Sequence, residues 1–415
     1  MRLNANQALE VRLRWAVGDE LRVGRLAWRD RRAWLELDEA FLAAGPPLSP
    51  FHLPVRPGLI PAPLEPFEGL FGVFDDSLPD GWGRLLQDRR ATASGLSPAT
   101  LTPLDRLAWV GDTGIGALAY RPELMGTGEQ DHALDLDRLA QESSEVLAGA
   151  ADEVLAELQR LGGSPQGARP KVLVSLRPSD GHVVSTPTEE GHTPVLVKFL
   201  APHDALDAGP VEYTYHRLAR DSGLQVPDAW LLASRSSGGW FAVARFDLQP
   251  EHRWHVHTLC GLLHADHRLP SLDYVGALTA VHRLTGDQQQ LEQMFRRMVF
   301  NVLAHNRDDH TKQVSLRMDR GGEWTLAPAY DLTFAEGPGG EHSMAIAGAG
   351  RPGREDMLNV GRQAGVTSGT ANAIIDDVAE VISSRWSRYA AEAGVSERMM
   401  REIGARLRGV RPARV

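Results

Sequence analysis

The chain has 415 residues, 42% apolar and 24% charged, with a formal net charge of −10. That is enough for two or three folded cores, and the negative balance disfavours non-specific binding to nucleic acid or an anionic membrane. A single cysteine, Cys260, excludes an intrachain disulfide framework. With no apolar leader at the N-terminus and no apolar run of membrane-spanning length, the expectation is a soluble cytoplasmic protein without a membrane partner.

Residues 1 to about 105 alternate short apolar segments with Pro-rich turns. Leu21–Trp28 and Arg32–Leu37 suit strands, the prolines between Pro46 and Pro66 make an irregular connector, and the stretch from Trp82 to Arg90 suits a helix. A polar boundary falls near Gly126. Leu136 to Leu161 carry helical periodicity. From Lys171 to Phe246 the pattern is strand, turn, strand, helix and strands, with a hairpin signal at Ser179-Asp180-Gly181-His182. After Asp247 it turns helical, through Leu272–His282, Leu291–Leu303 and Ala371–Ile382.

The most informative stretch is Asn306-Arg307-Asp308-Asp309-His310-Thr311-Lys312-Gln313, followed by Tyr330-Asp331-Leu332. It offers a candidate base, an amide side chain five residues on, and a second carboxylate after a short connector. Phosphoryl transfer needs that grouping: an Asp to take the substrate hydroxyl proton, an amide oxygen for Mg²⁺, and an Asp on the metal that bridges the ATP phosphates. The helix Leu291–Leu303 runs into this loop and gives Asp308 a rigid support.

The other parts lie upstream in the order such a site requires. Leu161-Gly162-Gly163-Ser164-Pro165-Gln166-Gly167-Ala168 is a small-residue loop before a strand, and its backbone N–H groups suit phosphates. Lys198 ends the strand Pro194–Lys198, and Glu212 opens a helical pattern fourteen residues later, a workable position for pairing with that Lys. Lys312 is placed to neutralise the transferred phosphoryl group. His310 supports the loop through hydrogen bonds rather than acting as a base. Asp309 is read as orienting the loop, touching metal or standing in solvent.

These residues, together with Phe74–Arg84, Val110–Leu118, His257–Asp266 and Gly337–Met344, resemble the HipA family of bacterial serine/threonine kinases, the toxin halves of type II toxin–antitoxin pairs. The resemblance covers roughly residues 1 to 390. It implies an α+β chain with a two-lobed protein-kinase-like fold, comprising an added N-terminal α+β subdomain (1–125), a kinase N-lobe (126–246) and a mainly helical C-lobe (247–415). It implies Asp308 as catalytic residue, Asp331 and Gln313 as metal ligands, and Lys198 as ATP-binding residue. Ser164, Gln166, Gly167 and Ala168 then cover phosphates, Glu212 and His310 complete the nucleotide site, and the Ala244–Phe246 segment meets the adenine. Ser164 falls where some members autophosphorylate to switch themselves off. The family usually carries Asn where this chain has Gln313, one methylene longer; Mg²⁺ demands near-octahedral geometry, so the longer arm bears on the metal site.

The implied function is an ATP- and Mg²⁺-dependent kinase acting on a protein of translation, such as an aminoacyl-tRNA synthetase. A helix-turn-helix antitoxin is the implied partner, with operator DNA bound only through their complex. Two alternatives stay open: a small-molecule kinase, and a weakly active kinase fold serving as a corepressor partner.

Other features take blander readings. His252, His255, His257, His264 and His267 cluster without Cys partners or a His-Glu-x-x-His helix, so a zinc site is disfavoured. Ala364–Asn372 faintly suggests a helix-turn-helix, but the acidic continuation favours a C-lobe helix pair. Cys260, among leucines, reads as a buried small hydrophobe. The basic tail with Arg406, Arg408, Arg411 and Arg414 reads as a solvated terminus.

Overall fold

A computed structural model describes residues 2–3, 7–124, 133–149, 156–162, 166–185, 191–249 and 252–409. The polar boundary near Gly126 lies outside these residues, as do Arg411 and Arg414. Near the N-terminus, five antiparallel strands lie in the spatial order Leu59–Pro61, Arg32–Leu37, Asp19–Arg29, Leu9–Ala16 and Leu118–Arg121. Strict alternation in Leu9–Ala16 sends Leu9, Val11, Leu13 and Trp15 inward. The helix Gly81–Ala93 follows, and then Pro103–Val110, which starts on a Thr102–Asp105 capping box with Pro at its first position.

A second five-stranded antiparallel sheet has the order His182–Val184, Lys171–Arg177, Thr193–Lys198, Trp240–Ala244 and Ala229–Leu232. The expected hairpin joins its first two strands, with Gly181 at φ +75° in the turn. Val172, Val174, Val195 and Val197 face a core of their own. The helix Gly81–Ala93 inserts Trp82 and Leu86 into that core, each burial worth about 1.5–3 kcal/mol. The helical periodicity of 136–161 resolves into Leu136–Leu147 and Ala156–Gly162.

The remainder is mainly helical: Tyr274–Thr285, Gln288–Leu303, Arg354–Ala364, Ser368–Glu392 and Glu397–Gly409. The last residues of Arg354–Ala364 and the start of Ser368–Glu392 form the expected helix pair. A three-stranded sheet of His255–Thr258, Ser315–Met318 and Trp324–Leu326 interrupts the helices. Its strands are short, and two of them, Ser315–Met318 and Trp324–Leu326, follow the loop at 306–313. None of the described helices is long and apolar enough to cross a membrane.

The N-terminal sheet shares one continuous core with the C-terminal helices. At the join, a Cβ on Gly72 would lie 2.3 Å from the Gly261 carbonyl oxygen, so two backbones meet where only glycine fits. Asp76 reinforces the join by accepting from Thr258 N–H (2.8 Å), Thr258 Oγ1 (2.7 Å) and His257 Nδ1 (2.6 Å). The histidines serve this packing. His255 and His257 share one face of a strand and are fully buried, contacting the Leu48 carbonyl (3.0 Å) and Ser49 Oγ (2.9 Å) respectively. Cys260 is buried, and burial pushes its thiol up to about 12.

Candidate active site

The second sheet, the segments around His310–Gln313 and Tyr330–Leu332, and N-terminal residues around Asp80 line a cavity of about 430 Å³. On its roof, alternation along Thr193–Lys198 turns Val195 and Val197 into the core and leaves Leu196 and Lys198 facing the cavity. Lys171 lies directly opposite Lys198 on the neighbouring strand, so both amines share that face. Phe241 continues the row on the other side of Lys198, with the ammonium 5.9 Å from its ring centroid.

Lys198 Nζ donates to Glu212 and to Asp331 Oδ1. Glu212 is buried behind the Lys, outside the cavity lining, and also pairs with Arg169 at 3.4 Å. Burial opposes charge on Lys198, but Asp331 and Glu212 outweigh it and hold the amine above its ordinary range. Burial pulls the Lys171 amine down to about 8 despite the nearby Asp331. Asp331 stands at φ +55°, in the left-handed region that Asp tolerates better than most residues. Burial would raise its carboxyl, yet Lys198, Lys171 and the bond from Gln313 Nε2 (2.7 Å) hold it far below the usual carboxylate range.

The loop at 306–313 leaves the helix Gln288–Leu303 through His305, at φ +56°. Asp309 is its anchor. It is 1% exposed and accepts from Tyr274 OH, His342 Nδ1 and Ser343 N–H, each at 2.8 Å. Of the three readings open for Asp309 in the sequence, the structure selects loop orientation. That frees Asp308 to point outward, with its side chain 56% exposed and His310 Nε2 3.9 Å away. Partial burial raises the Asp308 carboxyl; His310 opposes this, and Asp331 and Asp309 add to it. Asp308 stands outside the cavity lining, whereas His310, Lys312 and Gln313 belong to it.

His310 supports the loop in two ways. Its side chain supports the loop by packing, with its ring 5.6 Å from that of His267, and Nδ1 is buried without a hydrogen-bond partner among the described residues. Its hydrogen bond comes from the backbone, where the carbonyl accepts from Gln313 N–H at 2.8 Å.

At the far end, Leu196, Val243, Ile115, Val256 and Leu332 make an apolar slot beside Ala244–Phe246. Phe246 stacks on Tyr330 at 5.6 Å. The N–H groups of Ala244 and Arg245 are engaged by the carbonyls of Asp228 (2.8 Å) and Pro194 (2.9 Å), so this segment is pinned to the sheet. Gln166, Gly167 and Ala168 line the opposite end. Ser164 lies outside the described residues.

Sequence reasoning missed Lys171, Arg169, Asp80 and Tyr330. Lys171 carried a signal, since it opens a strand immediately after the small-residue loop. Asp80 sits inside a stretch, Phe74–Arg84, that was noticed only as a signature.

A metal fits this donor set in kind. Asp331 and the amide oxygen of Gln313 are hard oxygen donors, and Mg²⁺ is usually held by one or two carboxylates plus phosphate oxygens rather than by a protein cage.

A sheet-based lobe over a helical lobe, with a Lys–Glu pair above and an Asp-bearing loop below, defines a two-lobed protein-kinase-like fold. The model of the HipA-like C-terminal domain matches residues 163–386, and that of the HipA N-terminal domain matches residues 16–121. The chain belongs to the HipA family. The fold matches HipA of Shewanella oneidensis MR-1, solved in complex with HipB and operator DNA, with a TM-score of 0.68 at 17% identity over 96% of this chain and 95% of that one. "Putative kinase Y4dM" of Sinorhizobium fredii is 28% identical over 136 residues, 29% of this chain. The match spans about a third of that relative's length (32%).

Proposed function

We propose that this chain is an ATP- and Mg²⁺-dependent protein serine/threonine kinase, the toxin of a toxin–antitoxin pair. The observation that carries the reading is the convergence of Lys198–Glu212, Lys171, Asp331–Gln313 and the loop bearing Asp308 around one cavity. In this reading the apolar slot beside Ala244–Phe246 takes the adenine. Lys198, Lys171 and the N–H groups of Gln166 and Ala168 take the phosphates. Asp331 and Gln313 hold Mg²⁺, which supplies neutralisation of the phosphate charge.

Asp308 accepts the proton of a substrate hydroxyl while that oxygen bonds to the γ-phosphorus and the bond to the ADP oxygen breaks. Lys312 neutralises charge on the transferred group. The outward position of Asp308 suits a macromolecular acceptor, which must reach the loop from solvent. By family, that acceptor is a protein of translation such as an aminoacyl-tRNA synthetase. A helix-turn-helix antitoxin is the proposed partner, with operator DNA reached through it; the Shewanella relative was solved in an assembly of that kind.

Ser164 is proposed as a self-modification site. Phosphate there adds about −1.5 to −2 charge beside the triphosphate and repels it. Mass spectrometry after incubation with Mg²⁺ and ATP tests this directly. The function itself is tested by incubating the protein with γ-labelled ATP, Mg²⁺ and a bacterial lysate. Label retained in protein bands supports the reading; label only in small molecules indicates a small-molecule kinase.

A further inference from the structure

Asp80 belongs to the N-terminal subdomain, yet its carboxylate reaches two parts of the nucleotide site. Oδ1 accepts from the Gly167 N–H, and Oδ2 accepts from Lys312 Nζ at 2.8 Å. Gly167 is in the phosphate-covering loop; Lys312 is in the loop that carries Asp308. The two are far apart in sequence and are bridged here by one side chain from a third segment.

The neighbours of Asp80 hold the same loop. Gln166 Nε2 donates to the carbonyls of Asp76 (2.9 Å) and Leu78 (3.2 Å). Trp82 N–H donates to the Gly167 carbonyl at 3.1 Å, and the Trp82 indole donates to the Lys171 carbonyl at 3.0 Å. A Cβ on Gly81 would lie 2.6 Å from Ala168 Cα, so glycine lets the segment approach this closely. Both edges of the stretch from 166 to 171 are therefore fixed from outside the kinase lobes.

We infer that Asp80 is a positioning residue for phosphoryl transfer, fixing the Lys312 ammonium and the Gly167 amide relative to each other, so that the N-terminal subdomain is a working part of the active site. This rests on the kinase reading above. An ammonium on a four-carbon stem is otherwise free to swing; one of its three donors spent on Asp80 leaves two aimed at the transferring group. The advantage is preorganisation, which acts on the transition state more than on ground-state binding.

The test is a double-mutant cycle on the full chain with Asp80→Asn and Lys312→Met, reading kcat and KM for ATP. Asparagine keeps an acceptor for Gly167 but loses the charge opposite Lys312. Asp80→Asn is expected to lower kcat about tenfold or more, with KM for ATP changing less than about threefold. Adding it to Lys312→Met should cost less than about twofold further, because both act through one amine. Asp80→Glu should recover part of the loss.

Hydrogen exchange of peptides covering 166–171 gives a second readout that needs no turnover. Exchange should rise in Asp80→Ala while the strands Leu9–Ala16 and Thr193–Lys198 stay protected. Wild-type turnover with an unaffected Asp80→Asn variant, fully multiplicative losses in the cycle, or unchanged exchange would each overturn this inference alone. Wild-type protein that exchanges as expected but transfers no phosphate would overturn the kinase reading, and the positioning role with it.

Discussion

Lys171 and Lys198 lie directly opposite one another on adjacent antiparallel strands, and both amines act on the carboxylate of Asp331. Register is what joins them. A one-residue slip of either strand would send its Lys into the valine-lined core and a valine into the cavity. The hydrophobic pattern that folds the sheet therefore also places the two cations, and Asp331, at φ +55°, is the counter-charge they share.

Lys198→Ala removes a cation from the proposed phosphate site and leaves Glu212 to Arg169 alone. ATP affinity should fall about tenfold or more, since truncating one member of a buried charge pair costs a few kcal/mol. Titration calorimetry of both proteins with ATP checks this. Equal affinities would place the phosphates elsewhere.

Gln313→Asn shortens the amide arm that now reaches Asp331 at 2.7 Å. Activity measured across a Mg²⁺ series should be kept or improved, with half-maximal activity at equal or lower Mg²⁺. A large loss would mean that the loop has adapted to glutamine.

Asp309→Ala leaves Tyr274 OH, His342 and the Ser343 N–H without their shared acceptor. Breaking a buried network of this kind costs about 3 kcal/mol or more. The denaturation midpoint should drop accordingly, and transfer should fall with it. A loss under about 1 kcal/mol would show that the loop is held by other contacts.

His216 and His255 set an acid limit to stability. Burial pushes each down to about 4, with His257 adding to the effect at His255. In the unfolded chain each titrates near 6.5, roughly its ordinary value. As pH falls from about 6.5 towards 4 the unfolded state binds more protons, so stability declines through that window. The melting temperature should fall across it, and His216→Gln, which cannot titrate, should flatten the slope. The same slope in wild type, His216→Gln and His255→Gln would contradict the assignment.

Much of the arrangement was legible because its chemistry is compact in sequence. Asp308, Lys312 and Gln313 lie within six residues, and Asp331 follows after a short hairpin. Lys198 and Glu212 are separated by one strand-to-helix connection. What stayed hidden depends on distant packing. Asp309 looks like any loop acid until Tyr274 and His342 surround it. Asp80 becomes part of the site only because the N-terminal segment folds onto the loop at 166–171. The contact between the rings of His310 and His267 likewise joins residues whose proximity their types do not reveal. The pairing of His255–Thr258 with Ser315–Met318 joins segments distant in sequence, which neither segment reveals by itself.

The central claim is that Asp308 takes the proton of an acceptor hydroxyl in a transfer from ATP. The most direct measurement compares wild type with Asp308→Asn for transfer from γ-labelled ATP in the presence of Mg²⁺, alongside ATP affinity for both. The account predicts equal folding and similar ATP binding, with transfer in the variant lower by about 10²-fold or more. Transfer by Asp308→Asn at the wild-type rate would contradict it.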